Sequence, residues 1–148
     1  MPADALHLEH QVSQALDEQR TGDALHLAGV ALSRYPLYAS TWRLAGVARA
    51  ATGDHTGAIV AFDEALARDP ADVLASYYAA RSAHSAAMWP EARDRASALL
   101  PRLDAPTLRA EVQCIEAIAR IRLGDAAGPP LAVAACASGA VGCCQSGP

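Results

Sequence analysis

The sequence predicts an all-α fold built of repeated helix–turn–helix units, and three observations predict it. Helix formers dominate: 36 of the 148 residues are Ala, and the chain is 52% hydrophobic but only 5% aromatic. Alanine costs least to place in a helix and is the smallest side chain that still excludes water from a helix contact. Small and apolar residues recur at helical spacing, punctuated by Gly and Pro. The pattern then repeats at an interval of 34 residues, the signature of a stacked array rather than a single globular core. Each contact in such an array buries little area, so stability must come from many helix–helix contacts.

The unit is clearest over residues 39–72, where Trp42, Gly46, Ala58, Phe62, Ala65 and Pro70 stand at unit positions 4, 8, 20, 24, 27 and 32. Gly46 and Ala58 let two antiparallel helices approach closely. Trp42 and Phe62 fill the gaps those small residues leave. Gly53, followed by Asp54, can end the first helix in a left-handed conformation. Pro70 stops the second helix. These residues at these spacings resemble the tetratricopeptide repeat family, with two departures: Ala45 replaces the usual Leu, and Arg49 the usual Tyr. The resemblance implies a right-handed superhelix of about three units with a C-terminal capping helix, covering residues 5–124.

The remaining elements are read from that unit in chain order. Residues 5–38 keep Ala24, Ala28, Ala31 and Pro36 at second-helix positions, with Thr21-Gly22-Asp23 as a turn signal that falls slightly late. The poor first helix suits a terminal unit facing water. Residues 73–106 keep Ala80, Ala92, Ala96 and Leu99, with Met88 and Trp89 in the expected turn and Pro90-Glu91 opening the second helix. A fourth first-helix is expected over residues 107–123, its stripe marked by Val112, Ile115 and Ala119. Gly124-Asp125 supplies its turn. Gly128-Pro129-Pro130 is expected to interrupt any partner helix, leaving residues 107–123 as a lone cap. Residues 125–148 form an apolar, Cys-containing tail, with a short helix expected over 131–137 and disorder beyond.

Charge and composition narrow the function. The net charge is −4, acidic and basic residues are interspersed, and no basic patch points to nucleic acid. All basic residues are Arg, and neither Lys nor Asn occurs, which suggests a GC-rich, bacterial source. The first residues lack a basic start and a long apolar core, and no run is long enough to span a membrane, so a cytoplasmic protein is expected. Without Lys a P-loop is excluded, and no Gly-x-Ser-x-Gly occurs. Asp63 and Glu64 are adjacent on a helix and read as a solvated face. His7 and His10 flank Glu9 but do not form a zinc-protease pattern. Cys136, Cys143 and Cys144 lack a second ligand pair at metal spacing, and incidental free thiols are the expectation for them. Cys114 falls where a small packing residue is wanted. No enzyme activity, cofactor or metal is therefore expected.

The tetratricopeptide resemblance implies a concave groove lined by first helices that receives a partner peptide or helix. Its groove positions carry over to Glu9 and Ser13; Arg43, Val47 and Ala50; Tyr77, Arg81 and His84; and Glu111 and Ile115. Tyr77, Arg81 and His84 lie at i, i+4 and i+7, one helix face, and Tyr and Arg are enriched in interface hot spots. The alternative for Tyr77 and Tyr78 is packing between units. Some family members grip a C-terminal carboxylate with Lys and Asn in this groove. Here Glu9 and Ser13 stand at the first-unit positions, so that clamp is not implied. The expected role is an adaptor or assembly factor that binds another protein, with two alternatives: a bacterial secretion chaperone of the same repeat class, or a self-associating structural repeat.

Overall fold

The computed structural model describes residues 1–139. Among them are eight α-helices, a short 3₁₀ turn and no strand: α1 (Ala3–Asp17), α2 (Thr21–Arg34), α3 (Ala39–Ala51), α4 (His55–Arg68), α5 (Val73–Ser85), α6 (Trp89–Leu99), the 3₁₀ turn Leu100–Arg102, α7 (Pro106–Arg122) and α8 (Gly128–Ala137). The all-α helix–turn–helix expectation is met. No helix among the described residues is long and apolar enough to cross a membrane. Residues 140–148, with Cys143 and Cys144 and the disorder expected there, lie outside the described residues. The chain divides into two compact units, Met1–Tyr78 and Ala79–Pro148, with the boundary inside α5.

One backbone device recurs at every helix–turn–helix connection. Gln19, Gly53 and Ala87, spaced 34 apart, have φ of 58°, 87° and 56°, and Gly124 follows 37 residues later with φ 75°. The next residue in each case returns its N–H to a carbonyl five positions back: Arg20 to Ala15 at 2.8 Å, Asp54 to Arg49 at 3.0 Å, Met88 to Ala83 at 2.9 Å and Asp125 to Arg120 at 2.9 Å. This left-handed C-cap satisfies carbonyls that the ending helix leaves unpaired. Glycine marks the position in only two of the four turns. That explains why Thr21-Gly22-Asp23 seemed late: those residues are the first turn of α2, and the left-handed residue is Gln19. Trp89 likewise opens α6 rather than sitting in the turn, with Met88 as N-cap.

In the first unit α1 packs on α2 and α3, α2 on α3, and α3 on α4. Its core is mostly alanine: Val12, Ala15, Ala24, Ala28, Ala45, Ala48 and Ala61, flanked by Leu16, Leu27, Leu32, Trp42 and Leu44. Gly46 allows a close approach of α3 and α4, because a Cβ there would lie 2.5 Å from the ring of the fully buried Phe62. Both departures from the family pattern find roles here. Ala45 is a core residue, and Arg49 donates to the Gly57 carbonyl at 3.0 Å, tying α3 to α4.

In the second unit α7 packs on α6 and α8. The lone-cap expectation is corrected: α8 begins at Gly128, not at residue 131, and lies against α7 through Ala110, Cys114, Ala135 and Ile118. Prolines at the first turn of a helix cost little, since the N–H groups there have no intrahelical acceptor. Gly128 permits the contact, as a Cβ would meet the Ile121 backbone nitrogen at 2.7 Å. The thiol expectation is corrected for Cys136, which is disulfide-bonded, as is Cys114 in addition to packing in the core.

Candidate functional site

Unit position 5 on the first helices does more inside the fold than the groove reading supposed. On α1, Glu9 accepts from Ser40 Oγ at 2.6 Å and Thr41 Oγ1 at 3.1 Å, both in the first turn of α3. On α3, Arg43 donates to Asp72 Oδ2 at 2.8 Å, while Asp72 Oδ1 caps α5 by accepting from the Ala75 N–H at 3.0 Å. Glu9 and Arg43 thus each reach forward to the start of the next first helix, 29 to 32 residues along the chain. Glu9 Oε1 and an Arg43 N–H are thereby used within the first unit.

Tyr77 is 7% exposed, with its ring 5.2 Å from that of Tyr78, which stacks on Phe62 at 5.8 Å and 20°. This placement favours packing for the tyrosine pair. Ser13, Val47 and Ala50 are half-buried and present a small, neutral surface on α1 and α3. The inter-helix loop after α2 is anchored separately. The Pro36 carbonyl accepts from both Trp42 Nε1 and Arg68 Nε at 2.8 Å, and the Arg68 guanidinium lies 4.8 Å over the Trp42 ring. Glu64, expected on a solvated face, is half-buried and pairs with Arg68 at 2.7 Å.

In the second unit Arg81 and His84 share one face of α5, Arg81 exposed and His84 half-buried. No carboxylate among the described residues pairs with Arg81. His84 meets Trp89 edge-on, with ring centroids 5.6 Å apart at 75°. Burial, then the Arg122 charge, holds the imidazole below its ordinary pKa, which favours its neutral form. Glu111 is exposed on α7, whereas Ile115 is buried. The buried Glu116 is a further charged group on α7: it accepts from Ser97 Oγ at 2.7 Å and from Arg120 at 2.9 Å, and Arg120 also pairs with Asp125 at 2.6 Å. This network joins α6 to α7 and is structural in kind. Sequence reasoning missed Trp89 and Arg122 as partners of His84. A tryptophan beside a turn was the one available signal.

No group of three or more His, Cys, Asp or Glu among the described residues could hold a metal ion. The arrangement offers instead accessible first-helix side chains: Ser13, Val47 and Ala50 in the first unit, and Arg81, His84 and Glu111 in the second.

No protein-family model matches the chain, and no curated protein matches it. Solved structures do. The MamA RS-1 ArsTM double mutant aligns with a TM-score of 0.80 and 19% identity over 94% of this chain and 77% of that one. The Sgt2 TPR domain from Aspergillus fumigatus aligns at 0.71 and 16% identity, over 83% and 81%. SycD, a type III secretion chaperone of Yersinia enterocolitica solved in complex with a peptide of the translocator YopD, aligns at 0.74 and 14% identity, over 82% and 97%. The fold is of the tetratricopeptide-repeat type. At these identities the likeness shows the fold.

Proposed function

We propose that this chain is a protein-binding module that holds a peptide or helix of a partner against its first helices, as an adaptor or assembly factor. The observation that carries the reading is the likeness to the SycD structure, which spans 97% of that chain and holds a peptide of another protein. The accessible first-helix side chains are Ser13, Val47 and Ala50 in the first unit and Arg81 and His84 in the second, with Glu111 exposed on α7. Glu9, Arg43, Tyr77 and Ile115 support them from within the fold. Arg81, with no carboxylate partner among the described residues, is the natural anchor for an acidic or carbonyl-rich partner.

The SycD likeness also favours a narrower form of the same role, a chaperone that holds a secreted protein before export. Here, too, the partner is a protein and no reaction is assigned to the chain. The expected cytoplasmic location meets one counter-observation, since disulfides at Cys114 and Cys136 suit an oxidising compartment.

The test is recovery of partners from cells of the source organism with tagged wild-type protein and with a Val47→Arg, Arg81→Glu variant, each checked for helical content. Loss of the recovered partner in the variant supports the first-helix surface. Equal recovery from a folded variant removes that surface from the proposal.

A further inference from the structure

The fold contains two arginine-over-tryptophan stacks, and they differ in one respect. In the first unit the stack is closed. Trp42 gives its indole N–H to the Pro36 carbonyl, Arg68 donates to the same carbonyl, and Glu64 neutralises Arg68. In the second unit the Arg122 guanidinium lies 5.7 Å from the Trp89 ring, and Trp89 rests edge-on against His84. There, among the described residues, neither the Trp89 indole N–H nor the Arg122 guanidinium has a hydrogen-bond acceptor. Arg120, two positions earlier on α7, has both Glu116 and Asp125, whereas no described carboxylate pairs with Arg122.

We propose that Arg122, Trp89 and His84 form a docking site for an acidic peptide segment, whose backbone carbonyl and carboxylate supply what Pro36 and Glu64 supply to the closed stack. A guanidinium stacked on an aromatic face keeps its in-plane N–H groups directed outward, in the fork that fits a carboxylate with two bonds. Arg122 is exposed and Trp89 half-buried, so both can be reached. The Arg122 charge also reaches His84, where, after burial, it helps hold the imidazole below its ordinary pKa. All three residues lie at helix ends beside turns: His84 near the end of α5, Trp89 opening α6 and Arg122 closing α7. Only His84 belongs to the first-helix set, so this site is additional to the surface proposed above.

The test is a titration of the full ¹⁵N-labelled chain with a synthetic peptide of alternating Leu and Glu, followed through the two indole N–H resonances, assigned with a Trp42→Phe variant. The Trp89 resonance is expected to shift saturably and the Trp42 resonance to stay. Arg122→Gln should weaken binding by roughly tenfold or more, the ratio of a charge-assisted hydrogen bond. The same peptide with Gln for Glu should not bind, and inorganic phosphate should not reproduce the shift. A static Trp89 resonance at millimolar peptide, unchanged affinity in Arg122→Gln, binding of the Gln peptide, or an equal response to phosphate each overturns the proposal. The Val47→Arg, Arg81→Glu variant leaves Arg122, Trp89 and His84 in place, so failure of the first-helix surface and failure of this site are separable.

Discussion

Replacing Gly46 by Ala probes the close approach of α3 and α4 in the first unit. A Cβ at Gly46 would lie 2.5, 2.7 and 2.8 Å from three carbons of the Phe62 ring. Carbon contacts are comfortable at about 3.5–4.0 Å, so the ring must retreat by roughly 1 Å. Phe62 has little room for that, being fully buried and stacked on Tyr78. Overpacking of this kind costs about 1–3 kcal/mol, against which Ala in a helix interior returns about 1 kcal/mol relative to Gly. With the Phe62 ring hemmed in, the upper half of that range, about 2–3 kcal/mol, applies, so the net expectation is a loss of about 1–2 kcal/mol, read by urea denaturation followed through helical circular dichroism. Phe62→Leu shortens the colliding side chain, so the double variant should be less destabilised than the sum of the two singles. Neutral or stabilising behaviour of Gly46→Ala, or additivity within about 0.5 kcal/mol, would refute the close-approach reasoning.

Four further outcomes follow from the same structure. At the left-handed C-cap, Ala87→Gly should stabilise by a few tenths to about 1 kcal/mol, since relief of the Cβ strain exceeds the extra entropy of the unfolded chain, and Gly53→Ala should destabilise by about 1 kcal/mol; thermal melts of both check the sign. Asp72→Ala, which removes both the α5 cap and the partner of Arg43, should cost about 2 kcal/mol in chemical denaturation, and Asp72→Asn less. His84 titrates below its ordinary value when folded, so the unfolded chain takes up the proton first. Its contribution is therefore full above about pH 6.5, is lost as pH falls through that value towards the lower folded pKa, and should vanish from the stability–pH profile in His84→Gln. Cys114 and Cys136 should resist alkylation in unreduced, unfolded protein and gain label after reduction, which peptide mass mapping reads directly.

Much of the fold was legible because its signals are local. The 34-residue interval, the small residues Gly46 and Ala58 and the stop at Pro70 act within one helix pair, and the structure uses them as expected. What was misread involved a local rule with two meanings. Gly128-Pro129-Pro130 looked like an interruption, but the same residues start a helix when they occupy its first turn. The turn after α1 was placed late because glycine is the usual mark of a left-handed residue, and here Gln19 takes that conformation. The candidate site was less legible because its contacts are remote in sequence. Nothing near Glu9 announces Ser40 and Thr41, and nothing near Arg43 announces Asp72. Spacing named a helix face but could not separate side chains spent on the next repeat from those left exposed. The His84, Trp89 and Arg122 cluster joins three helices and could be found only by folding them.

Site-specific photocrosslinking in cells of the source organism tests most directly whether a partner lies along the first helices. A photoreactive phenylalanine analogue would be placed singly at Ser13, Val47 or Arg81 on first helices, and at the exposed second-helix residues Leu25 and Val60 as references. Protein binding on the first-helix surface predicts one common partner adduct at positions 13, 47 and 81 and none at 25 and 60. Adducts confined to 25 and 60, or absent from all five positions in folded protein, would contradict it.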